Sequence, residues 1–538
     1  MMKKVIKKLL AALLAVAMVC AMAIPAFAGT EGDITKWHSF SAFQIFTGDV
    51  TGNEIKDFKI SNVEWGSSII TNHETFLSQL KGDSTIGPLF NKADNAQDVL
   101  EVISQWDDSD ANSIAFARFV CHYLYPDANA KPKPAVEGGG GSDHIHFDEA
   151  GYYLVVDTTP FNPGDFDHAY NSFLLMVTRA NWNIPITPKA EKPSVKKEVF
   201  DNFDNQDSTS TGDFGSSADH AINEKFQFKL TATLPASTDH AYDYYDTYAV
   251  CFKDTLSEGI TYDGPDSVVI ESKGNPGNRY DITDSSTIDI SKLESQNYFE
   301  VNIHDVKACA KDAGFDLNDG ATITVTYTAH LNEKATVNTT SGPTDNKNSV
   351  QLQYSNNPRP GDYWGTTPKS EVYVFTYQLN NTKRAETENG TPLPGAGFKL
   401  YSDKAYEHEV KLYKEGNFYY PIKNAPDKTP VEMKSADDGT FNVRGLDAGT
   451  YYLKETTTPA DFTPCSVIPP VTITANHNGN HVELDSSKLS TTIINKKAGG
   501  ITLPSTGGIG TTIFYVVGGG LMVAAIVLLV TKKRMENK

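Results

Sequence analysis

Residues 321–330 read Ala-Thr-Ile-Thr-Val-Thr-Tyr-Thr-Ala-His, with apolar and polar side chains alternating over the whole stretch. A period of two marks a half-buried β-strand, because successive side chains leave the backbone on opposite faces. The same pattern recurs at Phe226–Thr233, Tyr248–Asp254, Val268–Glu271 and Ser349–Tyr354, with turn-forming clusters between; only His304–Gly314 has helical spacing here. A second series follows at Val372–Leu379, Gly397–Tyr401, Thr440–Arg444, Thr450–Glu455, Val471–Ala475 and Leu489–Asn495. Short alternating runs separated by turns predict two antiparallel β-sandwiches in tandem, over residues 190–368 and 369–498.

Residues 29–189 read as an α+β unit. Phe40–Phe46 is strand-like, and Thr71-Asn72-His73-Glu74 has the form of a capping box opening a helix through Leu80. Asn95–Trp106 and Ala111–Leu124 carry apolar residues at helical spacing, and Gly151–Asp157 and Ser172–Thr178 read as strands. Pro185, Pro188 and Pro193 punctuate the junction to the second unit, and Asn356–Gly361 closes that unit. Gly151–Pro160 echoes Gly449–Pro459 when one residue is inserted, each placing an acid (Asp157, Glu455) at the end of a Tyr-Tyr-Leu strand.

At 538 residues the chain is too long for one ordinary domain, and 25 Tyr, 27 Phe and 40 Gly lean toward strands and turns. With the +4 of the first eight residues and the +3 of the last seven set aside, the net charge of −20 becomes −27 on the remainder, so no basic face serves a nucleic-acid partner. Residues 1–28 have the basic start, apolar run and Ala26-Phe27-Ala28 site of a secretory signal, leaving Gly29 as the new N-terminus. Residues 499–538 hold Ile509–Val530, uncharged and long enough to cross a bilayer, followed by Lys532, Lys533 and Arg534, which mark the cytoplasmic side. Cys121, Cys251, Cys309 and Cys465 lack metal-site spacing and read as small buried side chains, with a Cys251–Cys309 bridge as the alternative. His144 and His146 beside Asp143 lack further spaced ligands, and Asp201, Asp204 and Asp207 lack the glycine and terminal glutamate of a calcium loop. No metal or cofactor is therefore expected, and no hydrolase or P-loop motif is present.

Leu503-Pro504-Ser505-Thr506-Gly507, the apolar span and the basic tail together resemble the cell-wall sorting signal of Gram-positive surface proteins. The resemblance implies that a sortase cleaves after Thr506, holds it as a thioacyl intermediate and passes it to an amine. Trp182–Lys189 is similar to the pilin motif of sortase-assembled pili, shortened and with Pro185 inside it, and Gly449–Phe462 is similar to their E-box. Asp254–Tyr262 and Asn348–Asn356 resemble signatures of the isopeptide-forming middle domain. The chain thus resembles a backbone (major) pilin with collagen-adhesin B-type, Ig-like domains. That resemblance implies Lys189 as the amine that accepts Thr506 of another subunit. It also implies sortase, identical subunits, minor pilins and peptidoglycan as partners, and host or bacterial surface ligands as further candidates.

The internal chemistry has a physical basis. A lysine amine attacks an asparagine amide only when neutral, and burial disfavours its charged form. The same burial raises the pKa of a nearby carboxyl, which can then shuttle protons as ammonia leaves. Held in contact, the three groups gain about 7–11 kcal/mol from pre-orientation in favourable cases. Both β units contain an early lysine, a middle acid and a late asparagine: Lys197, Asp254 and Asn348, then Lys383, Glu455 and Asn495. Lys196 competes with Lys197, since adjacent strand residues face opposite sides, and the family's Pro-x-x-x-Lys spacing favours Lys197. In the first unit Gln44 stands where a cross-linking lysine would sit, and no bond is expected there. The expected protein is a covalent-polymer shaft subunit and not a turnover enzyme. The rival readings are a wall-anchored adhesin displayed singly and a secreted hydrolase using Asp254 and Glu455.

Overall fold

The computed structural model describes residues 39–498 and 525, apart from 52–58, 107–109, 128, 138–143, 159–172, 178–181, 186–192, 203–211, 239, 294–296, 360–363 and 466. The signal sequence, Lys189, Thr506 with the rest of Leu503–Gly507, and the apolar span except residue 525 lie outside these residues, as do Asp143, Asp204 and Asp207. Among the described residues no helix is long and apolar enough to cross a membrane.

The first unit is built on an antiparallel sheet in the order Lys59–Trp65, Phe40–Thr51, Gly151–Asp157, Phe173–Val177. Its central strands bury both faces. Phe43, Phe46, Tyr152 and Leu154 meet Phe76, Phe116 and Val120 of the helices His73–Gly82 and Ala111–Leu124, while Phe40, Ala42, Tyr153 and Val155 pack against Ile145 and Phe147. Asn95 and Asp110 cap the helices Ala96–Ile103 and Ala111–Leu124, accepting from the Asp98 and Asn112 amides at 3.0 and 2.9 Å. The capping box expected from Thr71 does not form. Residues 70–72 make a 3₁₀ turn that runs directly into the helix at His73, so Thr71 is already inside helical geometry and Asn72 makes no side-chain cap.

The second unit is a sandwich of two facing sheets. One runs Arg279–Asp281, Ile260–Ser272, Ala321–Leu331, Lys225–Leu234, Ser194–Asp201, Asp213–Gly215. The other runs Ser217–Asp219, Ser370–Phe375, Lys347–Ser355, Val250–Leu256, Tyr298–Ile303, Ile288–Leu293, with Trp364–Thr366 added beside Lys347–Ser355. Phe228, Leu230, Val325 and Tyr327 from the first sheet meet Phe252, Val301 and Leu352 from the second. The run Val372–Leu379, read from its alternation as one strand, is two. Ser370–Phe375 pairs with the Asn348 strand, whereas Tyr377–Ala385 opens the third unit, and buried Thr376 marks the crossing. The Asn348 strand is therefore not the last of its unit, and the crossing coincides with a change of phase, since Val372 and Val374 are buried in the second unit and Phe375, Tyr377 and Leu379 in the third.

The third unit has two five-stranded sheets. One contains Leu412–Glu415, Phe418–Pro421, Val443–Leu446, Tyr377–Ala385 and Ser490–Asn495; the other is centred on Gly397–Tyr401 and Gly449–Thr457. Its first and last strands lie side by side and parallel, with Lys383 opposite Ile493 and Ala385 opposite Asn495. Phe398 and Phe441 stack at 4.3 Å in the core between the sheets. A small additional sheet crosses between units, since Gly342–Pro343 pairs with His481–Leu484, which pairs with Ala475–Asn478.

Tyr413, Tyr420 and Ile422 of the third unit join the second unit's core. The Ile222 amide donates to the Gly445 carbonyl at 2.9 Å, and the Tyr413 hydroxyl donates to Glu333 at 2.9 Å. Gly445 has φ +77°, and a Cβ there would lie 2.5 Å from Ile222 Cδ1. Gly445→Ala therefore combines left-handed backbone strain with a clash across the junction. It is expected to destabilise the protein by about 1–3 kcal/mol, seen as a lowered unfolding temperature in calorimetry; an unchanged temperature would contradict this packing.

Candidate functional site

The strand Ser194–Asp201 divides its two adjacent lysines between solvent and core. Lys196 points outward and pairs with Glu198 at 2.7 Å, whereas the Lys197 side chain is fully buried. The Lys197 ammonium group meets the Asp254 carboxylate and lies 3.0 Å from the Tyr327 hydroxyl, with the Phe228 ring 5.1 Å away. Asp254 reaches this point from Val250–Leu256 in the opposite sheet, and Asn348 from the neighbouring strand, where it pairs with Leu256. The Tyr327 hydroxyl joins all three. It donates to Asp254 Oδ1 at 3.3 Å and accepts from the Asn348 amide nitrogen. Asn348 Oδ1 is buried and makes no hydrogen bond.

Burial is the dominant influence on each of these groups. It pushes the Lys197 amine down to about 8 against the pull of Asp254. It raises the Asp254 carboxyl above the usual range despite Lys197 and Tyr327, and it lifts the Tyr327 hydroxyl well above its ordinary value. A cationic amine and an anionic carboxylate are both disfavoured here, which brings the neutral amine and neutral acid closer in free energy.

The third unit holds a second cluster of the same kind. Lys383 is fully buried, contacts the Asn495 side-chain oxygen and lies 3.7 Å from Glu455. The Asn495 amide nitrogen donates to Glu455 Oε1 at 2.7 Å, and the Cys465 backbone amide donates to Glu455 Oε2 at 2.7 Å. Burial lowers the Lys383 pKa, opposed by Glu455. Here the acid contacts the asparagine directly, with no tyrosine between them.

Tyr327 is absent from the sequence reading because its stretch, Ile323, Val325, Tyr327 and Ala329, looks like an ordinary core face. Gln44 of the first unit is buried in a polar network, donating to the Tyr153 hydroxyl at 3.0 Å and accepting from the Ser67 amide at 3.1 Å. Its amide offers no amine nucleophile. The echo between units aligns better without the inserted residue. Tyr153 and Tyr451, each two residues past a glycine, donate to the carbonyls of Glu149 and Asp447 at 3.0 and 2.9 Å, which brings Asp157 into register with Glu455. Cys251 and Cys309 are both buried free thiols. His146 lies on the exposed face of its strand, 3.4 Å from Asp148.

Residues 379–488 match the family model of the SpaA prealbumin-like fold domain, and residues 495–537 match that of the LPXTG cell wall anchor motif. The two matches together cover less than a third of the chain. No curated protein matches the sequence. Among solved structures, the T6 backbone pilin of serotype M6 Streptococcus pyogenes aligns at 15% identity over 87% of this chain and 97% of its own, with a TM-score of 0.48. Full-length major pilin SpaD from Corynebacterium diphtheriae aligns at 20% identity over 70% of this chain and 88% of its own, with a TM-score of 0.40. Full-length major pilin RrgB from Streptococcus pneumoniae aligns at 13% identity over 69% of this chain and 88% of its own, with a TM-score of 0.38.

Asp254→Ala would leave the buried Lys197 amine between aromatic rings without the carboxyl group it meets. It is expected to destabilise the second unit by about 3–5 kcal/mol, read as a lower midpoint in denaturant unfolding; an unchanged midpoint would show the pair to be dispensable.

Proposed function

We propose that this cell-wall-anchored protein, mainly β and carrying a SpaA prealbumin-like domain, is the repeating shaft subunit of a covalent surface pilus of the sortase-assembled type, a structural protein and not a turnover enzyme. The observation that carries the reading is the pair of fully buried lysines, each brought into one cluster with an acid and an asparagine distant in sequence. Surface lysines linked to carboxylates are common; two lysines held in dry cores beside amide side chains serve a different purpose.

In each cluster the neutral lysine amine attacks the side-chain amide carbon of asparagine. A new C–N bond forms, the original amide C–N bond breaks, and the nitrogen leaves as ammonia. Asp254 or Glu455 supplies the proton that assists departure and takes up the proton the lysine releases, so the acid is regenerated. Tyr327 positions the amine and the amide in the second unit through its contacts with Lys197 and Asn348. The products are Lys197–Asn348 and Lys383–Asn495 cross-links, closing loops of more than 100 residues. A disulfide closing a 100-residue loop contributes about 4.7 kcal/mol on chain-entropy reasoning.

The strand arrangement gives the third-unit bond a mechanical role. Tension entering at Tyr377 reaches Lys383, crosses to Asn495 on the adjacent parallel strand and leaves the unit there. The intervening strands carry none of it. Between subunits, sortase joins Thr506 of one copy to Lys189 of the next, and repetition yields the fibre, with minor pilins and peptidoglycan as further partners.

Intact mass spectrometry of the folded protein is expected to fall short of the theoretical mass by two ammonia molecules, and a full theoretical mass would rule out both internal bonds. Lys189→Ala is expected to abolish high-mass ladders in denaturing gels of cell-wall extracts. Persisting ladders would favour a different acceptor, and a single-mass species from the unaltered protein would favour the singly displayed adhesin.

A further inference from the structure

We infer that the junction between the second and third units binds a divalent transition-metal ion of the zinc class through His220, Glu224 and Asp447. His220 and Glu224 lie between the strands Ser217–Asp219 and Lys225–Leu234 of the second unit, and Asp447 lies between Val443–Leu446 and Gly449–Thr457 of the third. One ligand atom from each lies within 4.8 Å of the others.

The imidazole decides the chemistry. His220 is 2% exposed, and its ring stacks flat on Phe226 at 4.2 Å. Its Nε2 sits 2.7 Å from the Phe200 carbonyl oxygen, which can only accept, so this nitrogen carries the proton. Nδ1 is buried and no hydrogen-bond partner reaches it. A proton on Nδ1 would find no acceptor within hydrogen-bond distance, so Nδ1 keeps a bare lone pair, and the His220 ring brings a nitrogen within 4.8 Å of a carboxylate oxygen of both Glu224 and Asp447. A bond from the opposite ring nitrogen to a backbone carbonyl is also the contact that orients metal-ligating histidines.

The carboxylates are oriented too. Asp447 Oδ1 accepts from the Ala448 amide at 2.9 Å and Glu224 Oε2 from the Ala221 amide at 3.1 Å, while Lys423 pairs with Glu224 Oε1 at 3.1 Å. A cavity of about 450 Å³ borders the cluster at Asp447, with Ala221 and Lys423 also in its wall. An imidazole with two carboxylates suits zinc over calcium or magnesium, which take oxygen ligands. Zinc bonds of about 2.0–2.2 Å set tetrahedral donors roughly 3.3–3.5 Å apart, so binding would draw the two units together, with a water as fourth ligand.

The test uses purified full-length protein, stripped with a chelator, loaded with zinc chloride and desalted. Elemental analysis is expected to find one more zinc per chain in the unaltered protein than in Asp447→Asn or Glu224→Gln, and zinc is expected to raise the unfolding temperature of the unaltered protein alone. Both substitutions are isosteric and lie on opposite units, so if one fails to fold the other decides. Equal zinc content in the unaltered protein and a folded variant would overturn the inference. Equal stabilisation by calcium chloride would overturn the assignment to the zinc class.

Discussion

A lysine amine without water is the constraint around which the two sandwiches are arranged. Desolvating a charged amine is expensive, and the protein meets that cost at Lys197 and again at Lys383 by placing a carboxyl group against each. The rest of each core follows from it. The Phe228 and Tyr327 rings lie against the Lys197 amine with Phe299 packed on Tyr327, and Phe398 lies 5.9 Å from the Lys383 amine, so water is kept from groups that would otherwise be hydrated. A buried ion pair is by itself a weak source of stability. Its value here lies in what the same dryness does to protonation, lowering both amines and raising Asp254.

The two clusters solve one geometric problem in different ways. In the second unit the lysine belongs to one sheet and the acid and asparagine to the sheet facing it, so the three groups meet across the middle of the sandwich, and a tyrosine hydroxyl fills the gap. In the third unit the lysine and the asparagine sit on neighbouring strands of one sheet, and the acid comes from the other, in direct contact with the amide. Neighbouring parallel strands bring the lysine and asparagine together directly, whereas across facing sheets about 10 Å apart Lys197 meets Asp254 itself and is linked to Asn348 through the Tyr327 hydroxyl.

Much of this was legible in the sequence. The period of two located most strands, the helix Ala111–Leu124 was read to its ends, and strand alternation placed one of Lys196 and Lys197 inward. What escaped were features that leave no local trace. The change of sheet at Thr376 follows four successive apolar or aromatic residues, Val372–Phe375, which hide the shift of buried phase from Val374 to Phe375. Tyr327 occupies a position that any large apolar residue could fill, and its role depends on three partners far away in the chain. His220 and Asp447 lie more than 200 residues apart, so no spacing rule relates them.

The strand Gly342–Pro343 gives assembly of the chain a direction. It is contributed by the second unit, yet it pairs with His481–Leu484 of the third, so part of the third unit's framework is laid down by residues made well before it. A polypeptide that emerges N-terminus first presents this template before its complement exists. In the folded chain this pairing gives His481–Leu484 a neighbour on each side, so the third unit's outer sheet is complete only while the second unit is joined to it.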